Sequence, residues 1–544
     1  MSLQDRNGPG ETVFSRFAAT AARYPAQPFL NVLPETAAIY GIAAGEITYA
    51  AMYEAAALRR SALAAANVGK GTRIGLLLEN RPVFLEIFLA ANSLGASIVP
   101  INPDLRAAEL EYLVSHSEMA LAFVTPARRA ELSAAANAGG CPIHCITPDE
   151  AVPALHGAAM ANAGLGPASE AALLYTSGTT GSPKGCVLSN EYFLHSGDWY
   201  RDTGGLITLV EGEERMLTPL PVFHMNALSV SVMAMITVGG CLTILDRFHP
   251  RTWWQSVRDS GATSLHYLGV MPAMLMSTPA SDDDRKHSVR FGFGAGSPRD
   301  LHAPFEARFG FPLIEAWAMT ETGSGGVISA HNEPRKVGTS CFGRPGPQLE
   351  IRIVDDAGND VGHDAPGELL VRRAGDNARY GFFTEYLKNP EATAEAWDGG
   401  WFHTGDIVLR DPEGDLHFVD RKKNVIRRSG ENIAAVEVEA ILARHPGIRE
   451  VAVAATPDPV RGDEVAALVV SNDAENPAET ASDIVRWALG QMAYYKAPGW
   501  LGFVSELPRT PTEKILRAAL KTVVAEKMER GELHDTRALK KRQP

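Results

Sequence analysis

Apolar residues fall into short runs that alternate with helical spacings through the first half of the chain. Arg73 to Leu78 is an apolar run, and Val83 to Leu94 follows with the spacing of a helix buried along one face. Ser97 to Ile101 reads as a second strand, Ala107 to Ser115 as a helix and Leu121 to Thr125 as a third strand. This β–α–β–α rhythm predicts parallel sheets covered by helices, hence an α/β fold. Ala134 to Gly140 is rich in Ala, Asn and Gly and predicts surface; the rhythm resumes at Met216, Leu242 and Ser264. From Gly338 to Arg372 the pattern shifts to short alternating strands with turns at Asp356-Ala357-Gly358 and Ala365-Pro366-Gly367. That predicts a small β-rich subdomain over about 338–420.

A basic run, Asp420 to Arg428, separates this region from a compact α+β pattern. There Val436 to Ala443 reads as helix, Val451 to Ala455 and Val465 to Val470 as strands, and Ala481 to Met492 as helix. We expect a large N-terminal domain over 1–421 and a small, mobile C-terminal domain over 422–544. The tail from Lys521 predicts a mixed-charge helix ending in a solvated basic run, Lys540-Lys541-Arg542. Ala227 to Leu245 carries no charge and approaches the length of a membrane span. Its Gly239-Gly240 pair and its Ser and Thr residues instead predict a buried helix, a glycine turn and a strand from Cys241 to Leu245.

With 544 residues the chain is too long for one core. A net charge of -13 argues against non-specific nucleic-acid binding. Five cysteines are scattered, and Cys141, His144 and Cys145 have no second cluster nearby to complete a zinc site. With no signal pattern at the N-terminus, these features predict a cytoplasmic protein.

The candidate chemistry starts after the apolar run Leu173-Leu174-Tyr175. The loop Thr176-Ser177-Gly178-Thr179-Thr180-Gly181-Ser182-Pro183-Lys184-Gly185 combines hydroxyls, glycines and one lysine. Glycines let backbone N–H groups approach a polyphosphate, and Lys184 adds charge. Pro183 stands where a Walker loop needs its second glycine, and Gly185 replaces Ser or Thr after the lysine, so this is a different ATP site. Six more motifs follow in order: Pro221-Val222-Phe223-His224-Met225-Asn226, Gly294-Ala295-Gly296-Ser297-Pro298, Ala316-Trp317-Ala318-Met319-Thr320-Glu321, His403-Thr404-Gly405-Asp406, Ser429-Gly430-Glu431-Asn432-Ile433 and Pro508-Arg509-Thr510-Pro511-Thr512-Glu513-Lys514-Ile515.

Over nearly its whole length the chain resembles the adenylate-forming superfamily of acyl-CoA synthetases, luciferases and peptide-synthetase adenylation domains. The stretches Asp420 to Asn424 and Met492 to Pro498 are most similar to bacterial crotonobetaine/carnitine-CoA ligases. The resemblance implies that ATP converts a carboxylic acid to acyl-AMP with release of pyrophosphate, after which CoA displaces AMP. ATP, Mg²⁺ and CoA are then substrates, and no tightly bound organic cofactor is expected. The phosphate loop and Lys184 would cover the β- and γ-phosphates, and Thr320 would touch phosphate. Glu321 would serve Mg²⁺, a hard cation that takes oxygen ligands. Trp317 would pack on adenine, Gly294 to Ser297 would lie near it, and Asp406 with Arg421 would hold the ribose. Lys514 would bridge the carboxylate and the α-phosphate, cancelling their repulsion.

His224, Met225, Asn226, Gly296, Met319 and Gly323 would line the acyl pocket, with His224 as its gate. Gly430 and Glu431 would face the site in the thioester step, the domain swinging about a hinge at Lys423. Two departures from the family pattern stand out, Ala318 and Glu513 where glycine is usual. The pocket candidates carry no fixed cation, which disfavours a dicarboxylate and leaves medium-chain, branched, aromatic or zwitterionic acids. Homodimers are common in such a family. The competing readings are an enzyme that loads a carrier-protein phosphopantetheine and an inert ATP-binding scaffold. The second sits badly with Lys184, Glu321, Asp406, Arg421 and Lys514 all being present.

Overall fold

A computed structural model describes residues 10–155, 164–176, 183–421, 425–471, 476–508 and 517–541. The predicted rhythm is present: strands Arg73–Leu77, Ser97–Pro100 and Leu121–Val124 alternate with helices Pro82–Ser93 and Ala107–Ser117. Arg73–Leu77 is central in a seven-stranded sheet, paired in parallel with both other strands. The antiparallel hairpin Glu170–Thr176 and Lys184–Ser189 continues this sheet, with Thr176 opposite Lys184. A second sheet, of eight strands, carries Arg215–Thr218, Ser264–Leu268, Phe291–Ala295 and Leu313–Trp317 as parallel neighbours. Parallel strands covered on both faces need apolar runs on both, which is why these segments read as continuous hydrophobic stretches.

The uncharged window is buried, not a span. An irregular helical turn, Asn226–Ser231, leads into helix Val232–Val238, a left-handed Gly239 and strand Cys241–Ile244. Among the described residues no helix is long and apolar enough to cross a membrane. The β-rich region is an antiparallel five-stranded sheet that includes Gly367–Arg373, Phe402–Arg410 and Leu416–Arg421.

The C-terminal unit has its own sheet and its own cores. Strand Gly462–Ser471 is buried on both faces: Val465, Ala467 and Val469 pack under helices Ala435–Leu442 and Pro477–Gln491. The alternate residues Ala466, Leu468 and Val470 pack with Leu520 and Val524 of helix Arg517–Glu529. The architecture is thus a large α/β part followed by a smaller α+β one.

The surface expectation for Ala134 to Gly140 holds at Ala134, Asn137, Ala138 and Gly140, which are exposed, while Ala135 and Ala136 on the inner face of helix Arg129–Ala138 are buried. The expectation for the C-terminal tail is corrected. Lys540 is not solvated: its side chain is buried against Glu464, whose carboxylate would otherwise face Arg428 alone inside the unit.

Candidate active site

One cavity of about 610 Å³ joins the motifs from both parts of the chain. Its phosphate end is built by the Glu170–Thr176/Lys184–Ser189 hairpin. Thr176 and Lys184 line it, and the Lys184 ammonium lies 4.7 Å from the centre of the Tyr386 ring. Glu321 lines the same end and is otherwise buried. Its Oε1 accepts from Tyr386 Oη at 3.0 Å and from Thr176 Oγ1 at 3.3 Å. Those bonds, with one from the Cys186 thiol, orient the carboxylate, and an oriented carboxylate on the cavity wall fits an oxygen ligand to Mg²⁺. Thr320 also lines the cavity, and its carbonyl accepts from Tyr192 Oη at 2.9 Å. Ser177, Gly178, Thr179, Thr180 and Gly181 lie outside the described residues, as do Lys423 and Lys514.

The floor is set by Glu315, a residue no motif singled out. Its buried carboxylate accepts from the Gly296 and Ser297 N–H groups, both at 2.8 Å, and from Tyr267 Oη at 2.9 Å. This holds the turn that follows strand Phe291–Ala295, so that Gly294 and Ala295 face the cavity. Gly296 and Gly323 do not reach the wall: Gly296 turns with φ +79° behind it, and Gly323 packs on Tyr192.

Trp317 is also off the wall, although Ala316 and Ala318 on either side of it line the cavity. Its indole Nε1–H donates to Asp406 Oδ2 at 2.8 Å. Asp406 is fully buried and sits opposite Arg421 in the Phe402–Arg410/Leu416–Arg421 ladder. The preceding Gly405 adopts φ +67°, and the Thr404 hydroxyl donates to the Leu369 carbonyl at 2.6 Å while accepting from Asp406 N–H at 3.0 Å. His403, Thr404 and Gly405 therefore meet the cavity as one braced bulge.

The acyl end carries His224, Met225 and Asn226, with Met319 nearby on the wall. His224 Nε2 lies 3.4 Å from Glu431 Oε1, a contact between the large part and the C-terminal unit. Gly430, Glu431 and Asn432 line the same cavity as Lys184 and Glu321. Gly430 has φ +91°, and a Cβ there would stand 2.6 Å from Leu268 Cδ1. Glycine suits the left-handed backbone, and any side chain there would have to displace the Leu268 methyl.

Tyr495 and Lys496, which in the sequence report kinship alone, also line this cavity. Lys496 Nζ bonds Glu109 Oε1 and Glu437 Oε1, both at 2.6 Å, and Asn102 Nδ2 donates to Tyr495 Oη at 2.8 Å. The signal that could have found them was a buried-looking lysine between aromatic and apolar residues, but its partners lie 59 and 387 positions away.

The comparisons with known proteins agree with this geometry. The model described as AMP-binding enzyme matches residues 17–380, and that described as AMP-binding enzyme C-terminal domain matches 437–514. Sulfoacetate–CoA ligase of Cupriavidus necator is 31% identical, covering 94% of this chain and 97% of that relative. Crotonobetaine/carnitine–CoA ligase of Salmonella arizonae is 30% identical, covering 90% of this chain and 96% of the relative. Among solved structures, a malonyl-CoA ligase with methylmalonyl-CoA and AMP bound superposes with TM-score 0.73 at 28% identity, over 92% of this chain and 99% of that one. The o-succinylbenzoate CoA synthetase of Bacillus subtilis, at 24% identity, shares the fold with TM-score 0.79 over 95% of this chain and 98% of its own. By sequence over most of its length, and by fold throughout, the chain belongs to the AMP-binding enzyme family.

Proposed function

We propose that this chain is an ATP-dependent acyl-CoA ligase, an AMP-forming acid–thiol ligase. A carboxylate oxygen attacks the α-phosphorus of ATP, and the bond to pyrophosphate breaks. The CoA sulfur then attacks the acyl carbon of acyl-AMP, and AMP leaves with the electron pair. The observation that carries the reading is one cavity faced at once by Lys184, Glu321 and the Gly430 hairpin. The first two suit a polyphosphate and its Mg²⁺. The third brings a side-chain-free residue of the C-terminal unit to the cavity wall, which suits the close approach of a pantetheine arm.

Residue roles follow the same reading. The 176–181 loop and Lys184 hold the phosphates, Asp406 and Arg421 the ribose, and Glu321 the metal. Lys514 supplies the cation for adenylation and is withdrawn when Gly430 faces the site, with rotation about Lys423. The division falls at 421/422, and the enzyme is cytoplasmic. The acceptor is CoA, as the names of the ligase relatives indicate.

The test is AMP release from ATP by the purified chain across a panel of carboxylic acids, with and without CoA. Acid-dependent AMP that rises with CoA is expected. Acid-dependent pyrophosphate exchange with no response to CoA would move the acceptor to a carrier protein.

A further inference from the structure

The acyl end of the cavity carries a polar device that adenylation and thioester formation do not use. His266, on strand Ser264–Leu268, is fully buried, and burial lowers its pKa to about 3, so the imidazole is neutral. Its Nε2 lies 3.1 Å from Tyr200 Oη, and its Nδ1 lies 2.8 Å from Ser231 Oγ and 3.0 Å from Asn226 Oδ1. Among the described residues the Tyr200 hydroxyl has no other acceptor, so it donates to Nε2. Nδ1 then carries the hydrogen and donates to Ser231 Oγ and Asn226 Oδ1. The Ser231 hydroxyl hydrogen goes to the Asn226 carbonyl, 3.2 Å away. Every donor in the chain is matched, and the Asn226 amide is held with its oxygen toward the imidazole.

Its nitrogen is left for the cavity, whose wall Asn226 forms. Among the described residues nothing accepts from that NH₂ group. Trp199 lies on the same wall, and no described residue accepts from its indole N–H either. Phe293 ties these groups to one end: its ring centre is 5.9 Å from that of Trp199 and 5.3 Å from that of His266. Among the described residues, the lysines and arginine of the cavity wall are engaged elsewhere, Lys184 over Tyr386, Lys496 between two carboxylates and Arg427 over Phe418. Donors without a cation beside them suit a neutral acceptor. A bare hydrocarbon would bury the amide N–H groups unpaired, and a second carboxylate would be desolvated without a counter-charge.

Resting on the ligase reading above, we infer that Asn226 selects acids whose acyl chain carries a neutral oxygen acceptor, with Tyr200 and His266 positioning its amide. The substrate class is therefore an oxo, hydroxy or ether acid, not a plain fatty acid or a dicarboxylate.

The test compares kcat/KM for CoA-dependent AMP release among hexanoate, the oxohexanoates and glutarate. At least one oxohexanoate should exceed both others by about tenfold or more, the worth of a buried bond left unmade. Asn226→Leu should erase that ratio. Asn226→Asp, nearly isosteric, should erase it too and serves if the leucine variant does not fold. Tyr200→Phe should narrow it mainly through KM. Hexanoate or glutarate as the best substrate, or an unchanged ratio in a folded Asn226 variant, would overturn the inference and leave the ligase reading standing. No AMP from any acid would overturn the ligase reading and this inference with it.

Discussion

Two buried three-charge clusters in this protein are built with opposite signs. Inside the C-terminal unit, Glu464 sits between Arg428, whose Nε lies 2.9 Å from both carboxylate oxygens, and Lys540. At the junction of the two parts, Lys496 sits between Glu109 and Glu437. The ammonium groups respond in opposite ways. Burial and the Arg428 charge push Lys540 down to about 7 against the pull of Glu464. Burial would also lower Lys496, but its two carboxylates outweigh it and hold it above the ordinary lysine value. The first cluster draws all its members from one folding unit and forms with it. The second borrows Glu109 from helix Ala107–Ser117 of the large part. The turn of the C-terminal unit proposed above would leave Lys496 with Glu437 and part it from Glu109. Glu109 also accepts from the Ala493 N–H at 2.8 Å, so one carboxylate holds two points of the same short stretch. A staple and a latch are made from the same ingredients, and topology separates them.

The largest effect should come from breaking the staple. Arg428→Met leaves Glu464 with one partner and should destabilise the C-terminal unit by about 3–5 kcal/mol, the usual cost of halving a buried ion pair. Chemical denaturation followed by a probe in that unit reads this directly, and a loss below about 1 kcal/mol would show that the cluster is not structural. Next, Gly430→Val should leave pyrophosphate exchange within a few-fold but slow conversion of supplied acyl-AMP to acyl-CoA on the order of a hundredfold. The cause is the Leu268 side chain and the positive φ at Gly430.

The smallest effect is in pH. Below about 7, Lys540 is charged in folded and unfolded chain alike. Between about 7 and its ordinary 10.5 the unfolded chain binds the extra proton, so stability should rise with pH through that window. Lys540→Met should remove the rise. A slope of opposite sign would mean that Glu464 keeps Lys540 charged.

Strand and helix order was legible because the apolar runs have the two periods that these elements require. The strand at Val465 to Val470 was legible for the same reason, and the structure shows it buried on both faces. The phosphate-loop candidate stands out in the sequence because glycines, hydroxyls and a lysine cluster locally. What could not be read is pairwise and distant. Trp317 is identifiable as an aromatic at a ligand motif, yet its N–H goes to Asp406 across a sheet of separate origin. Glu315 looks like one acidic residue before a motif, and only the fold turns it toward Gly296 and Ser297. Lys540 looks like part of a solvated tail because nothing near it in sequence announces Glu464.

The most direct test of the latch is Lys496→Met, assayed separately for acid-dependent pyrophosphate exchange and for conversion of supplied acyl-AMP and CoA to acyl-CoA. The structure predicts exchange within about twofold of the parent and thioester formation about tenfold slower, since roughly 1.4 kcal/mol of lost preference for the Gly430-facing arrangement suffices. Equal loss in both half-reactions, or none in the thioester step, would contradict it.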